Sequence, residues 1–217
     1  MVSVLSTKSH QDRVTALSWS PDSQLIASTG WLSYQIGLWS MTTHTQKFLA
    51  GHTMIISALS WSPDGIYLAS SSRDGTVRIW DSTTASTVFI YRDHEQWVDS
   101  VAWSPQDTSI ASGGYDGLVR VWNATDGQTL STRSGHTPPY ALASWSPDGQ
   151  WLASPGRDSV ISLWNAINGQ CRLMYCKHQA LVVQAVWSPD GHRLASADLG
   201  GQALVWNATN GQTSITA

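Results

Sequence analysis

The chain has 217 residues, of which only 12% are charged, and a formal net charge of −3. That length is enough to bury a sizeable core, and the faintly acidic balance argues against a nucleic-acid surface, which needs clustered Lys and Arg. No stretch approaches the roughly 18 apolar residues of a membrane-spanning helix.

In chain order, the opening "MVSVLSTKSH" lacks the charged-then-apolar profile of a signal peptide, so the chain is read as cytoplasmic. Within it, "VSVLST" (2–7) has the pattern of a strand. From His10 onward the sequence keeps a ruler. His10, His52, His94, His136 and His178 fall 42 residues apart, as do Trp19, Trp61, Trp103, Trp145 and Trp187. A second tryptophan series, Trp39, Trp80, Trp122, Trp164 and Trp206, is spaced 41, 42, 42 and 42. Fixed periods of this size mean stacked supersecondary units. The units run at about 10–51, 52–93, 94–135, 136–177 and 178–217, in one domain, 1–217, with no room for a second.

The second unit shows what each contains. "MIISALSW" (54–61) is rich in strand formers, and Ser62-Pro63-Asp64-Gly65 is a type I turn signature. "IYLAS" (66–70) is a second predicted strand, Asp74-Gly75 a hairpin signal, and "TVRIW" (76–80) a third strand. After the polar "DSTTAS", "TVFIYR" (87–92) is a fourth. Val77 and Ile79 share one face of the third strand, and Trp80 shares the other with Arg78. A sheet that is apolar on both faces must be covered on both faces, and radial stacking of four-stranded sheets does this in a β-propeller.

The first and last units depart from the pattern. "STGWLSYQIGLW" carries an extra residue and no Asp in the expected place; "SADLGGQALVW" puts Gly200 there, with Asp198 near but out of register.

The His-led turn, "WSPDG", "LAS", Asp-Gly and the closing "IWD" together resemble the WD40 repeat, in phase across essentially the whole chain. The literal Asp after tryptophan occurs only at Asp81; Ser40, Asn123, Asn165 and Asn207 stand in the other units. The resemblance implies an all-β propeller of five four-stranded blades, as a closed five-blade ring or as part of a larger one. It also implies a hydrogen-bonded network in each blade: His52, Ser70, Asp74 and Trp80; His94, Ser112, Asp116 and Trp122; His136, Ser154, Asp158 and Trp164. His, Ser and Asp invite a hydrolase reading, yet an enzyme needs one preorganised site, and several equivalent copies fit a structural role better. No enzymatic activity is expected.

Five histidines on five different blades cannot converge on one ion at bonding distance. Cys171 and Cys176, five apart in a predicted strand, point to opposite faces. No metal, disulfide or cofactor is expected.

Both ends of the chain carry a candidate outer strand, 2–7 and "QTSITA" (212–217), for five sets of inner strands. The longer N-terminal segment, 1–9, is expected to complete the fifth blade and hide its edge, leaving the C-terminal stub to fray. Copies that pool blades into a larger ring, a homo-oligomer, are the other arrangement.

While the framework columns repeat, a few columns vary freely. Three residues after each histidine stand Arg13, Ile55, Trp97, Pro139 and Leu181; Asp99 lies in the column two further on; just before the turn Asp stand Arg73, Tyr115 and Arg157. In WD40 proteins the matching positions line the top face around the central channel. The resemblance thus implies a non-catalytic scaffold that binds protein or peptide partners on that face. Arg13, Arg73 and Arg157 beside Trp97 and Tyr115 suit an acidic and apolar partner, although Trp97 could instead pack on a neighbouring loop. The alternatives are a small-ligand or carbohydrate-binding propeller, or an excerpt of a longer WD40 array serving as the sensor or scaffold module of a signalling protein.

Overall fold

The computed structural model describes residues 10, 12–106, 108–134, 143–156 and 158–216. It contains twenty strands in five antiparallel sheets of four consecutive strands each. Blade 1 holds β1 (Val14–Trp19), β2 (Leu25–Gly30), β3 (Gln35–Ser40) and β4 (Gln46–Ala50). Blade 2 holds β5 (Ile56–Trp61), β6 (Tyr67–Ser72), β7 (Val77–Asp81) and β8 (Ser86–Tyr91). Blade 3 holds β9 (Val98–Trp103), β10 (Ser109–Gly114), β11 (Val119–Asn123) and β12 (Thr129–Arg133). Blade 4 holds β13 (Ser144–Trp145), β14 (Trp151–Pro155), β15 (Ile161–Asn165) and β16 (Cys171–Tyr175), and blade 5 β17 (Val182–Trp187), β18 (Arg193–Asp198), β19 (Ala203–Asn207) and β20 (Thr213–Thr216).

The turn between the first two strands closes on its own side chains. Ser62 Oγ donates to Asp64 Oδ1 at 2.6 Å and accepts the Tyr67 N–H at 2.9 Å, while Asp64 Oδ1 takes the Ile66 N–H at 2.9 Å. Gly65 adopts φ +72° at the fourth position, where a side chain is disfavoured. Blade 1 makes the same turn with Ser23 at φ +60°.

Both faces of the inner blades are apolar, and each is covered. Val77 and Ile79 pack with Ala69 and Tyr91 against Val98, Val101, Trp103 and Trp122 of blade 3. On the opposite face Trp80 and Trp61 pack with Ile56 and Leu68 against Ala27, Ile36 and Leu38 of blade 1. Equivalent clusters join blades 3 and 4 and blades 4 and 5. Strand-one tryptophans bridge the seams: the indole N–H of Trp61 donates to Ser18 O at 3.3 Å, Trp145 to Ala102 O at 3.0 Å and Trp187 to Ser144 O at 3.0 Å.

The outer position of blade 5 is taken by the C-terminal strand, a correction to the expectation from sequence. β20 pairs with β19 through Val205↔Ile215 and Trp206↔Thr213, in the same bulged register by which β16 meets β15. It is the next strand along the chain, so a short loop delivers it to the free edge of β19. The N-terminal segment 1–9 lies outside the described residues. The first strands pack in sequence, β1 on β5, β5 on β9, β9 on β13 and β13 on β17, and residues of β1 and β17 line one cavity.

Candidate interaction face

In blade 2 the network runs from the core to the rim. The Trp80 indole N–H donates to Ser70 Oγ at 2.8 Å, Ser70 Oγ lies 2.8 Å from His52 Nε2, and His52 Nδ1 lies 2.7 Å from Asp74 Oδ2. The proton order follows from the first link. An indole can only donate, so Ser70 keeps its own proton for Nε2, and Nδ1–H is left to donate to Asp74. Asp74 also accepts from the Thr53 N–H and from Thr76. Burial alone would raise the Asp74 carboxyl, yet the hydrogen bonds it accepts from His52, Thr76 and Thr53 hold it well below the usual carboxylate range.

Blade 3 repeats the arrangement with Trp122, Ser112, His94 and Asp116, and Arg120 adds a hydrogen bond to Asp116 at 2.6 Å. In blade 4 the Trp164 indole reaches Ser154 at 3.2 Å and Asp158 caps the Val160 N–H; His136 lies outside the described residues. In blade 5 Asp198, out of register by sequence, is the partner after all. It sits at the end of β18, two residues early, and its Oδ2 lies 2.9 Å from His178 Nδ1. In blade 1 His10 Nε2 meets Ser28 at 2.9 Å, but among the described residues the buried His10 Nδ1 has no partner.

Ser70 and Ser112 are 0% exposed and already accept an indole proton. Their oxygens cannot reach a substrate carbonyl. This His–Ser–Asp set ties the loop before the first strand to the second strand and to the turn that follows it. Among the described residues no group of three or more His, Cys, Asp or Glu could hold a metal ion, and both cysteines are free and exposed. Among the described residues no helix is long and apolar enough to cross a membrane.

The rim above the network carries the variable columns. In each blade with this rim described, a backbone hydrogen bond joins two of them: Trp31 N–H to Arg13 O at 2.9 Å, Arg73 to Ile55 at 2.9 Å, Tyr115 to Trp97 at 2.8 Å and Leu199 to Leu181 at 2.9 Å. The pairs thus stand side by side on one face. Pro139 and Arg157 lie outside the described residues. Arg13, Trp31, Ile55, Arg73, Asp99, Leu181 and Leu199 line a single cavity of about 560 Å³, and Arg73, Trp97 and Tyr115 line a cleft beside it.

Trp31 and Leu199 escaped the reading of the sequence, which counted back from the turn Asp that units one and five lack. Counting forward from the strand-two serine, Ser28, Ser70, Ser112, Ser154 and Ser196, places both in the same column as Arg73 and Tyr115.

Across blades 1 to 3 cations and rings alternate. The Arg13 guanidinium lies 4.7 Å from the Trp31 ring, Arg73 lies 5.2 Å from Trp31 and 4.9 Å from Trp97, and Trp97 meets Tyr115 edge-on at 5.0 Å. Arg73 is therefore held between two indoles, with Asp99 Oδ1 3.7 Å from its Nε. Burial pushes the Asp99 carboxyl above its ordinary value against the pull of Arg73 and Ser57. Trp97 packs on Tyr115 of its own blade and on Arg73 of the neighbouring one, and stays 41% exposed.

Residues 33–216 match the model of the IFT122 first β-propeller, and residues 1–40 match the WD domain, G-beta repeat. The chain belongs to the WD40-repeat β-propeller family. No curated protein matches it in sequence. In this WD40 propeller Trp80, Trp122, Ser70, Ser112, His52 and His94 are buried within their blades, and Arg13, Trp31, Ile55, Arg73, Trp97, Tyr115, Leu181 and Leu199 stand on the rim.

Proposed function

We propose that this WD40 propeller is a non-catalytic interaction module that holds a peptide or loop of a partner protein over the cavity at the rim. The observation that carries the reading is the cation–aromatic row of Arg13, Trp31, Arg73, Trp97 and Tyr115 beside that cavity. Trp, Tyr and Arg are the usual anchors of interface hot spots, and about 560 Å³ is the size of a pocket that takes one or two side chains. Arg13 is exposed and, among the described residues, has no carboxylate partner, so it suits an acidic residue of the ligand. Leu181, Leu199 and Ile55 offer apolar wall to the residue beside it. Pro139 and Arg157 belong to the same proposed face by their columns.

A peptide array of acidic and apolar sequences, probed with the wild type, Arg13→Ala and Trp97→Ala, tests this. The variants should keep the wild-type melting temperature and each lose about 2 kcal/mol of binding, roughly thirty-fold. Binding by both variants at wild-type strength would place the contact elsewhere. A repeated pocket for a sugar is disfavoured because the rim pairs differ in every blade.

A further inference from the structure

At the end of the blades away from the rim, where β5 turns into β6 and β7 into β8, the seams are not alike. The outer-strand residue opposite the middle of strand three is Lys47 in blade 1, Phe89 in blade 2 and Ser131 in blade 3. Lys47 Nζ donates to Thr83 O of blade 2 at 2.9 Å, and Ser131 Oγ donates to Ala166 O of blade 4. Gln106 Nε2 adds a bond to Pro147 O at 2.8 Å across the second of these seams. Phe89 can make no such bond, and its ring packs where a Cβ of Gly127 would stand. Between blades 2 and 3 a groove of about 360 Å³ stays open, walled by Tyr67, Ile79, Val88, Phe89 and Trp103, with Val88 54% exposed.

Two polar groups of that wall are unspent. Trp103 is 9% exposed, and its indole N–H has no acceptor among the described residues, whereas Trp61, Trp145 and Trp187 donate theirs to the preceding blade. Across this seam it is the Trp103 backbone N–H that meets Ser60, at 2.9 Å from Oγ. Among the described residues lining the groove, Asp64 is the only charged one. Its Oδ1 takes the Ser62 hydroxyl and the Ile66 N–H, and Oδ2 has no partner among the described residues.

We propose that this groove is a second docking site, for a partner segment that presents one large apolar side chain next to a lysine or arginine. The apolar side chain fills the groove, a backbone carbonyl beside it accepts the Trp103 indole proton, and the cation pairs with Asp64 Oδ2. The charge it selects is opposite to that of the rim, where Arg13 suits a carboxylate, so the two faces take different segments. The site stands on its own residues and does not depend on the reading of the rim.

Fluorescence polarisation with labelled peptides tests the proposal. The probes are Ala-Ala-Leu-Lys-Ala-Ala, its Phe counterpart, and versions with Ala for the apolar residue or Glu for the lysine. The Leu and Phe peptides should bind the wild type, and either exchange should weaken binding roughly ten-fold or more. Val88→Asp, at an exposed position, should abolish binding with unchanged melting temperature. Asp64→Asn, which keeps an acceptor for the turn, should erase the preference for lysine over glutamate. Arg13→Ala should bind these peptides as the wild type does. Leu and Phe peptides that bind no better than the Ala version, or that bind Val88→Asp at wild-type strength, overturn the proposal. So does a self-association, seen by light scattering, that Val88→Asp abolishes and the peptides do not compete with, since the groove would then hold a second copy.

Discussion

Tyr91, the last residue of β8, lies flat against Trp122 of the next blade, with ring centroids 4.2 Å apart and planes 1° from parallel. Tyr175 stacks on Trp206 in the same way, at 4.1 Å and 6°. Each ring closes the outer end of a seam from the blade before it, and the Tyr91 hydroxyl reaches Thr129 at 2.8 Å. At the seam between blades 1 and 2 the matching position holds Leu49, fully buried in the same cluster as Trp80. Tyr91→Ala should therefore cost about 3 kcal/mol or more through the void left on the indole, and Tyr91→Leu only about 1 kcal/mol. Chemical denaturation of both variants checks this; equal losses would mean that the hydroxyl, not the packing, holds the seam.

Asp74→Ala removes the close acceptor of His52 Nδ1 and leaves it only the Thr76 hydroxyl, 3.5 Å away. The expected cost is about 1–3 kcal/mol. A variant that melts with the wild type would mean that this network adds nothing to the stability of blade 2.

Acid should unfold the protein through these same carboxylates. His52 and His94 hold Asp74 and Asp116 well below the ordinary range, against the opposing effect of burial. A folded pKa below the unfolded value of about 4 gives stability that is complete above that value and lost as pH falls towards the folded one. The melting temperature is expected to drop steeply below about pH 4, and Asp116→Asn should make that drop shallower. Parallel pH profiles for variant and wild type would assign the acid sensitivity to other groups.

Deleting residues 213–217 strips the outer strand from blade 5 and leaves the edge of β19 unpaired. Exposed strand edges invite association, so the truncated chain should melt earlier and scatter more light on heating. Truncation without either effect would show that β20 contributes little to the blade.

Much of this was legible in the residues because it is local. A strand shows itself by which neighbours are apolar, a turn by Ser-Pro-Asp-Gly, and a blade by four such strands inside 42 residues. The network of blade 2 was legible only through the resemblance to the WD40 repeat, whose positions its members match. Asp198 was misread because register along the chain is a poor guide at a turn: a carboxylate two residues early, at the end of β18, still reaches His178. Trp31 was passed over because unit one has no turn Asp from which to count back to it.

What lay beyond the sequence is everything that sums over several blades. The ruler states that there are five units and that both faces of each are apolar, but the angle between neighbours is set by how side chains interlock at each seam, and it accumulates around the stack. Tertiary structure alone decided that Val14, Leu17 and Trp19 stay open while their counterparts in blade 2 are covered or half covered. It also decided that Arg73, from one blade, would be clasped by indoles from the blades on either side. Local pattern specifies each face, and only the packed stack determines which face finds a partner.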